Sequence, residues 1–173
     1  MTLSTLERPQ LRELSTLPGG GVLQIRALCE SDRSAYEAAV AHLSPETLRM
    51  RFAGPKRGLT PAEIDGFLDV GHDGKDAIVA VVPNTGDIVG VARFAPIGAA
   101  TGEVAVTVSD DWQGRGVGTT LMRSLVRLAF AEGYDHLHAT TLVDNVRIGK
   151  VLRRHGFRPG LGSLGVVEWT LHK

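Results

Sequence analysis

The alternation of hydrophobic and polar positions divides this chain into a short irregular start and a long series of helices and strands. Residues 1–21 are polar without a period and end in Pro18 and three glycines, which predicts a flexible N-terminal tail. Residues 22–28 have the apolar character of a strand, and between residues 31 and 71 apolar positions recur every three or four residues. One strand and three helices are therefore predicted in the first half of the chain.

The second half of the chain changes to strand-like runs, separated by turns and two further helices. The predicted strands lie at residues 77–82, 88–94, 103–108, 137–142 and 166–171. A glycine-rich turn at residues 113–118 leads into a helix between the third and the fourth of these strands. This order of elements predicts an α/β domain, a mixed sheet covered by helices, that occupies residues 22–173.

Composition and charge agree with one folded domain and exclude several classes of protein. The 173 residues are 43% hydrophobic and 22% charged, which is typical of a globular domain. Nineteen basic and nineteen acidic residues leave no positive excess, so nucleic acid is not an expected partner. No apolar run approaches the roughly 18 residues of a spanning helix, which argues against a membrane protein. The single cysteine and the lack of a secretion signal predict a cytoplasmic protein.

The glycine-rich turn is the segment most informative about function. Its glycines alternate at positions 114, 116 and 118, between a strand and a helix start, where backbone amides can bind an anion. Arg115 adds positive charge, so a diphosphate group fits such a turn. Alternatively, the glycines only satisfy the backbone angles of a tight turn. Two other phosphate-binding patterns do not match. A P-loop needs a lysine directly after its last glycine, but Thr119 follows Gly118. A dinucleotide-binding turn needs a third glycine at position 119, where Thr119 stands.

Two segments resemble the GNAT family of N-acetyltransferases. Residues 108–118, Val-Ser-Asp-Asp-Trp-Gln-Gly-Arg-Gly-Val-Gly, are similar to its acyl-CoA signature, which follows a valine-rich strand. Residues 144–157, which begin with Asp-Asn and end with His-Gly-Phe, are similar to the asparagine-led helix of the family and the turn after it. The resemblance covers residues 22–171 and implies a mostly antiparallel sheet of six to seven strands, with a central parallel pair that splays apart.

The resemblance also implies how acetyl-CoA binds as the acyl donor. Its pantetheine arm would lie between the strands at 103–108 and 137–142, and its pyrophosphate on the amides of residues 113–119. Asn145 would face the pantetheine from the next helix, although an asparagine at a helix start can also be purely structural. The implied cofactor-binding residues are Val106, Thr107, Val108, Gln113, Gly114, Arg115, Gly116, Val117, Gly118, Thr119 and Asn145.

Acetyl transfer to an amine needs a base, because a lysine-type amine has a pKa of about 10.4 and is protonated at neutral pH. Glu103 is the candidate catalytic residue, since it shares a strand face with Ala105 and Thr107. Burial beside the acyl site is expected to raise its pKa to a useful range. The similar strand of bacterial protein-lysine acetyltransferases carries a glutamate too, although spacing alone fits a surface carboxylate equally well. No general acid is assigned, because Leu152 stands where many family members carry a tyrosine.

An acyl-cysteine intermediate and a metal site are less consistent with the sequence than direct attack of the amine. Cys29 has no histidine beside it and is expected to be a small buried side chain, not an acyl-carrying nucleophile. His136 and His138 share a strand face, but no third ligand follows at a recognisable spacing. No metal is therefore predicted.

The acceptor is expected to bind against the early helices, whose most distinctive segment is residues 43–52. That segment, Leu-Ser-Pro-Glu-Thr-Leu-Arg-Met-Arg-Phe, resembles the bacterial protein-lysine acetyltransferase branch of the family. A protein lysine is therefore the leading acceptor, and a small amine of the antibiotic or polyamine type is the alternative. A non-catalytic acyl-CoA-binding module also remains open, because the tyrosine is missing. Four nearby acids can attract a cationic acceptor region, although solvated acids are commoner: Asp65, Asp69, Asp73 and Asp76.

Overall fold

A central sheet runs through the molecule, with helices on both of its faces. The computed structural model describes residues 11–163 and 165–173. In this part of the chain the strands are β1 (Arg12–Thr16), β2 (Val22–Ala27), β3 (Asp76–Val81), β4 (Ile88–Pro96), β5 (Thr101–Val108), β6 (His136–Leu142), β7 (Arg158–Pro159) and β8 (Val166–His172). The α-helices are α1 (Arg33–Ala41), α2 (Pro45–Phe52), α3 (Pro61–Leu68), α4 (Val117–Ala131) and α5 (Val146–Arg154).

The sheet is antiparallel except at its centre. The strand order is β1-β2-β3-β4-β5-β6-β8-β7, and only β5 and β6 run parallel among the described strands. This confirms the predicted mixed sheet with one central parallel pair. The expected six to seven strands become eight, because β1 and the two-residue β7 form its two edges.

The prediction for the N-terminus is partly wrong, since residues 12–16 form strand β1 instead of an irregular tail. β1 pairs with β2, and Leu17, directly after it, is buried in the core. The carboxylate of Glu13 accepts a 2.8 Å hydrogen bond from Arg127 on α4. The sequence pattern does not reveal β1 because backbone pairing, and not an apolar face of its own, holds it at the sheet edge. Residues 1–10 of the predicted tail lie outside the described residues.

The sheet carries a hydrophobic layer on each face. On one face, α4 and α5 bury Leu121, Leu125 and Leu152 against strand residues that include Val104. On the other face, α1, α3 and the strands β3 and β4 form a second cluster around Tyr36. Full burial of one such leucine contributes roughly 1.5–3 kcal/mol relative to exposure. The two layers hold the sheet rigidly between two sets of helices.

Helices α2 and α3 begin at residues typical of helix starts. The Ser44 hydroxyl accepts a 3.1 Å hydrogen bond from the backbone N–H of Thr47, and Pro45 is the first helical residue. At α3, Thr60 and Glu63 form a capping box, in which each side chain accepts from the backbone N–H of the other. Local chemistry thus determines where both helices begin.

Candidate functional site

A cleft opens where the parallel strands β5 and β6 separate. The two strands pair at three positions, the last of which joins Glu103 to His138. Beyond that pair, β5 stays with β4 as far as Val108, and β6 stays with β8 as far as Leu142. The facing edges therefore present backbone N–H and C=O groups across a wedge, which suits an extended ligand with amide groups of its own. The predicted splay of the central pair is confirmed.

The wedge is part of a cleft of about 1290 Å³, walled by β5, the glycine-rich turn, β6, α5 and α2. Nine of the predicted cofactor-binding residues line it: Val106, Thr107, Val108, Gln113, Gly114, Gly116, Gly118, Thr119 and Asn145. Val117 does not, because its side chain turns inward at the start of α4 and is buried in the core. Arg115 does not either, since its guanidinium lies 4.2 Å from the centre of the Trp112 ring.

The glycine-rich turn keeps the start of α4 open to the cleft. Gly114 and Gly116 have φ angles of 73° and 94°, which a residue with a side chain rarely adopts. A Cβ at Gly116 would also come within 2.8 Å of Cδ of Pro18. Gly118 lies outside the left-handed region, and a Cβ there would meet Val108 at an ordinary 3.6 Å. The fold thus requires glycine at 114 and 116, whereas glycine at 118 is explained by access to the helix start.

The N-terminus of α4 is suited to an anion. The first backbone N–H groups of a helix have no partner within the helix, and the helix dipole is positive at that end. α4 is 15 residues long and has no acidic residue in its first turn to compete for these groups. A diphosphate placed on the glycine-rich turn would meet these N–H groups.

The side chain of Gln113 ties the turn to helices on both sides of the cleft. Its amide donates hydrogen bonds to the carbonyl of Val108 at 3.1 Å and to the hydroxyl of Thr47 at 3.0 Å. Its Oε1 accepts a 2.6 Å hydrogen bond from Arg147 on α5. The glutamine predicted as a cofactor contact therefore also holds three walls of the cleft together.

Helix α2 is anchored to the same wall by contacts that no local pattern signals. Asp110 accepts hydrogen bonds from the hydroxyls of Ser44 at 2.6 Å and Thr47 at 2.8 Å, although Ser44 is 66 positions away. Burial alone would raise the pKa of Asp110, but these hydrogen bonds outweigh it and lower the pKa. Arg49 forms a 2.8 Å ion pair with Asp144, just before α5. The position of α2 is thus fixed from both sides.

Asn145 caps a helix and lines the cleft at the same time. Its Oδ1 accepts a hydrogen bond from the backbone N–H of Ile148 at 3.4 Å, as the N-cap of α5. The structural interpretation of this asparagine is therefore supported. Contact with a cofactor stays a prediction, which its place in the cleft wall permits.

Glu103 lies at the point of the wedge, in the last residue pair before β5 and β6 separate. It lines the cleft together with Ala105 and Thr107, the two residues predicted to share its strand face. Its side chain is exposed, so the expected burial is wrong. The physical reason is that side chains project from the face of a sheet, and on its face Glu103 points into the open cleft. Its assignment as the base stays a prediction.

Two guanidinium groups lie in the same cleft. Arg51, near the end of α2, and Arg93, on β4, both line it. Burial lowers the pKa of both, and the negative charge of Glu103 partly offsets this effect at Arg51. Burial raises the pKa of the nearby Tyr36 phenol, which the two positive charges counteract. This part of the cleft is therefore partly desolvated and rich in positive charge.

The acidic cluster expected to attract an acceptor lies elsewhere. Asp65 forms a 2.8 Å ion pair with Arg33, and Asp69 lies 3.4 Å from the ammonium of Lys75. Asp76 is buried in β3. None of the four acids lines the cleft, so the structure does not support their expected role.

The cysteine and the histidines considered for other chemistry do not line the cleft, although His138 pairs with Glu103 at its edge. Cys29 is exposed rather than buried, with its Sγ 3.3 Å from the carboxylate of Asp32. His136 faces His172, with 2.7 Å between their Nδ1 atoms. Across residues 11–163 and 165–173, no three metal-binding side chains come together, and no helix could cross a membrane. That the protein needs no metal stays a prediction.

Comparison with known proteins identifies related chains. A sequence model of the Acetyltransferase (GNAT) family matches residues 34–157. An acetyltransferase of Pseudomonas aeruginosa is 33% identical over 135 residues, which are 76% of this chain and 73% of that protein. Acetyltransferase Pat of Mycolicibacterium smegmatis is 35% identical over 126 residues, 72% of this chain but 38% of that protein. The crystal structure of the GNAT domain of S. lividans PAT has the same fold, with a TM-score of 0.86 at 24% identity, over 94% of this chain and 97% of that one.

Proposed function

This chain belongs to the GNAT family of acetyltransferases, and from that premise we propose that it transfers an acetyl group from acetyl-CoA to a lysine side chain of a protein. The proposed route is direct attack of the amine on the acyl group, with Glu103 as the base. The observation that carries the proposal is the position of Glu103 at the point of the wedge, in a cleft that α2 also lines. A cytoplasmic location, suggested by the single cysteine, is part of the proposal.

The wedge and the glycine-rich turn support acetyl-CoA as the donor. An extended pantetheine arm carries amide groups that can pair with the edges of β5 and β6 as an added strand would. The start of α4, left open by Gly118, suits the diphosphate. We propose that acetyl-CoA binds to the nine predicted residues that line the cleft and to the backbone N–H of Val117. Arg115, exposed beside the turn, adds positive charge near the diphosphate.

The reaction needs an amine that has lost its proton. Glu103 takes this proton, directly or through one water, because an amine of pKa about 10.4 is otherwise charged at neutral pH. A nitrogen–carbon bond forms as the carbon–sulfur bond of the donor breaks, and the sulfur leaves as a thiolate. The nitrogen then loses its second proton, to the thiolate or to solvent, and the product is a neutral amide. A thiol pKa of about 8.5 makes this leaving group acceptable without a tyrosine as general acid. The exposed carboxylate then releases its proton to solvent.

Helix α2 supports a protein acceptor. Residues 43–52, which resemble the protein-lysine branch, contain the whole of this helix and contribute Met50, Arg51 and Phe52 to the cleft wall. A lysine side chain is long and unbranched, so it can enter a cleft of this kind while the rest of its protein stays outside. A small amine can enter the same cleft, so the acceptor has to be identified by experiment.

Transfer of labelled acetyl groups tests the proposal. Purified protein is incubated with radiolabelled acetyl-CoA and a protein-rich lysate, and acid-precipitable label is compared with soluble label. We expect precipitable label, and Glu103→Gln should lower the rate by about 10²–10⁴-fold, the usual contribution of a general base. Acetyl-CoA affinity, measured by calorimetry, should not change in this variant. Glu132→Gln is the matched control, because Glu132 is exposed at the end of α4, outside the cleft.

Each other outcome contradicts a stated part of the proposal. Label that stays soluble would show that the acceptor is a small amine and not a protein. A fully active Glu103→Gln variant would show that Glu103 is not the base. Acetyl-CoA binding without transfer to any amine would favour a non-catalytic acyl-CoA-binding module.

A further inference from the structure

The positive charge on the acceptor side of the cleft exceeds what the reaction itself needs. Arg93 on β4 pairs in register with Ala105 on β5, two residues beyond Glu103, so its side chain points to the same side of the sheet as Glu103. Arg51 reaches the same cleft from α2. Two guanidinium groups from different elements thus enter the cleft that the proposed base also lines.

Aromatic rings and one carbonyl group hold these guanidinium groups in place. Arg93 lies 4.4 Å from the centre of the Phe67 ring and donates a 3.1 Å hydrogen bond to the carbonyl of Phe67. Arg51 lies 4.9 Å from the centre of the Phe52 ring. Cation–π contacts fix the position of a guanidinium without neutralising its charge. Both groups therefore remain available to an anion.

The protein supplies little negative charge to balance them. Among the residues that the structure describes, no carboxylate lies within 4.0 Å of Arg51 or Arg93. The exposed carboxylate of Glu103 acts on Arg51 only from beyond 4.0 Å, and Glu63, also in the cleft wall, is paired with Lys56 at 2.6 Å. The Phe67 carbonyl and the Tyr36 phenol, the polar neighbours of Arg93, do not neutralise its charge. Partly buried charges without a carboxylate partner are costly, so two of them beside each other favour an anionic ligand.

The phosphates of the donor are not the expected partners of these two side chains. The glycine-rich turn lies beyond Val108, which is three residues, or about 10 Å, further along β5 than Ala105. Gly118 approaches Val108 and Val151, on the face of the sheet that α4 and α5 cover. Arg93 points to the opposite face. The anion that fits the two guanidinium groups must therefore come with the acceptor.

The charge of the acceptor leads to the same conclusion. A lone ammonium brought beside two guanidinium groups is repelled by their positive charges. A carboxylate close to the amine cancels this repulsion and can form paired hydrogen bonds with a guanidinium fork. An amine without such a neighbour gains neither advantage.

We propose that Arg51 and Arg93 form an anion subsite, which binds a carboxylate of the acceptor next to its reacting amine. The preferred lysine therefore has an aspartate or glutamate beside it in its protein. The inference rests on the proposed function and adds to it the local sequence around the acceptor lysine.

Paired peptide acceptors test the subsite. Two peptides of identical sequence carry either aspartate or asparagine beside a single lysine, and kcat/KM is measured for both with the same enzyme. The wild type should prefer the aspartate peptide about tenfold or more, the usual effect of a hydrogen bond to a charged group. In Arg51→Gln and in Arg93→Gln the preference should fall to within about twofold. Arg51→Lys, which keeps the charge, should retain part of it.

The ratio between the two peptides is independent of how much enzyme is folded, so a merely structural defect would lower both rates and leave the preference intact. Arg158→Gln serves as the control, because Arg158 is exposed on β7 and lies outside the cleft. Equal rates for the two peptides in the wild type would overturn the subsite, as would a preference that survives both glutamine substitutions.

A small-molecule pair separates failure of the subsite from failure of the proposed function. If neither peptide is acetylated, 6-aminohexanoate and its primary amide are compared in the same assay. Preference for the carboxylate, lost in Arg93→Gln, would reject the protein acceptor and support the subsite. Equal use of both compounds would reject the subsite together with the protein acceptor.

Discussion

The two ends of the cleft are constructed in different ways. The end proposed to bind the donor, the donor end, is formed mainly by backbone, from the glycine-rich turn, the start of α4 and the open edges of β5 and β6. The end proposed to bind the acceptor, the acceptor end, is formed by side chains from three separate elements and includes the charged groups of Arg51, Arg93 and Glu103. A backbone site depends little on the side chains around it, apart from the glycines that keep it open. A side-chain site can change its ligand through a single substitution.

The largest expected effect is a loss of acetyl-CoA affinity at the donor end, without a loss of stability, when Gly118 is replaced by alanine. In Gly118→Ala, the added methyl group meets Val108 at an ordinary distance, and alanine favours a helix over glycine by up to about 1 kcal/mol. Stability should therefore be equal or higher. The methyl group should hinder approach to the amides of the first turn and cost about 1.5–3 kcal/mol of binding, a tenfold to hundredfold weaker Kd for acetyl-CoA. Calorimetry and thermal unfolding measure the two effects.

Gly58→Ala is the control for this change, because a Cβ at Gly58 meets nothing within 4 Å and the residue lies outside the cleft. Its affinity for acetyl-CoA should equal that of the wild type. An unchanged Kd in Gly118→Ala would show that the donor does not approach the start of α4 closely.

A smaller effect is expected at Gly116, where substitution should lower the free energy of unfolding. In Gly116→Ala, alanine has to adopt a φ of 94° and its Cβ would come within 2.8 Å of Pro18. The left-handed conformation alone should cost about 1–2 kcal/mol of the free energy of unfolding. Denaturant unfolding measures this loss, which Gly118→Ala should not show. Equal stability of the two variants would contradict the distinction between a glycine that the fold requires and one that the ligand requires.

The smallest effect is expected where Asp110, beside the glycine-rich turn, contacts Ser44 and Thr47 at the start of α2; this contact is called the joint between the two ends of the cleft. Asp110 accepts hydrogen bonds from α2, and its pKa in the folded protein is lowered below the unfolded value of about 3.9. The stability that it contributes is therefore present above this value and is lost as the pH falls through the folded pKa. Asp110→Asn should be less stable than the wild type at pH 7 by at most about 1 kcal/mol.

Thermal unfolding as a function of pH tests this last prediction. The difference between the wild type and Asp110→Asn should shrink as the pH falls below about 4. A difference that stays constant from pH 7 to pH 3 would show that ionisation of Asp110 does not contribute to the joint.

The donor end could be predicted in detail because its signal is contiguous. Alternating glycines after a valine-rich strand are adjacent in the chain, so the turn, the helix start and most cleft-lining residues follow from one segment. Even there, the inward turn of Val117 and the stacking of Arg115 on Trp112 depend on packing that spacing does not reveal.

The acceptor end could be predicted only in part, because it depends on elements far apart in the chain. The exposure of Glu103 depends on the open cleft on its face of the sheet, which the strand pattern itself does not contain. Arg51 and Arg93 meet only after α2 has packed on the sheet, and each alone resembles an ordinary polar position. Strand β1 was missed for a related reason, since its pairing with β2 and not its own composition makes it a strand.

The three residue pairs between β5 and β6 have a mechanical consequence for the sheet. In the described chain they are the only strand pairing between the half-sheet β1 to β5 and the half-sheet β6 to β8. A ligand that pairs with both open edges would act as a splint between these halves. Occupancy should then slow amide hydrogen exchange at residues 104–108 and 139–142 before it alters the distant edges. The exchange rates of these strand amides would thus show whether the donor is bound.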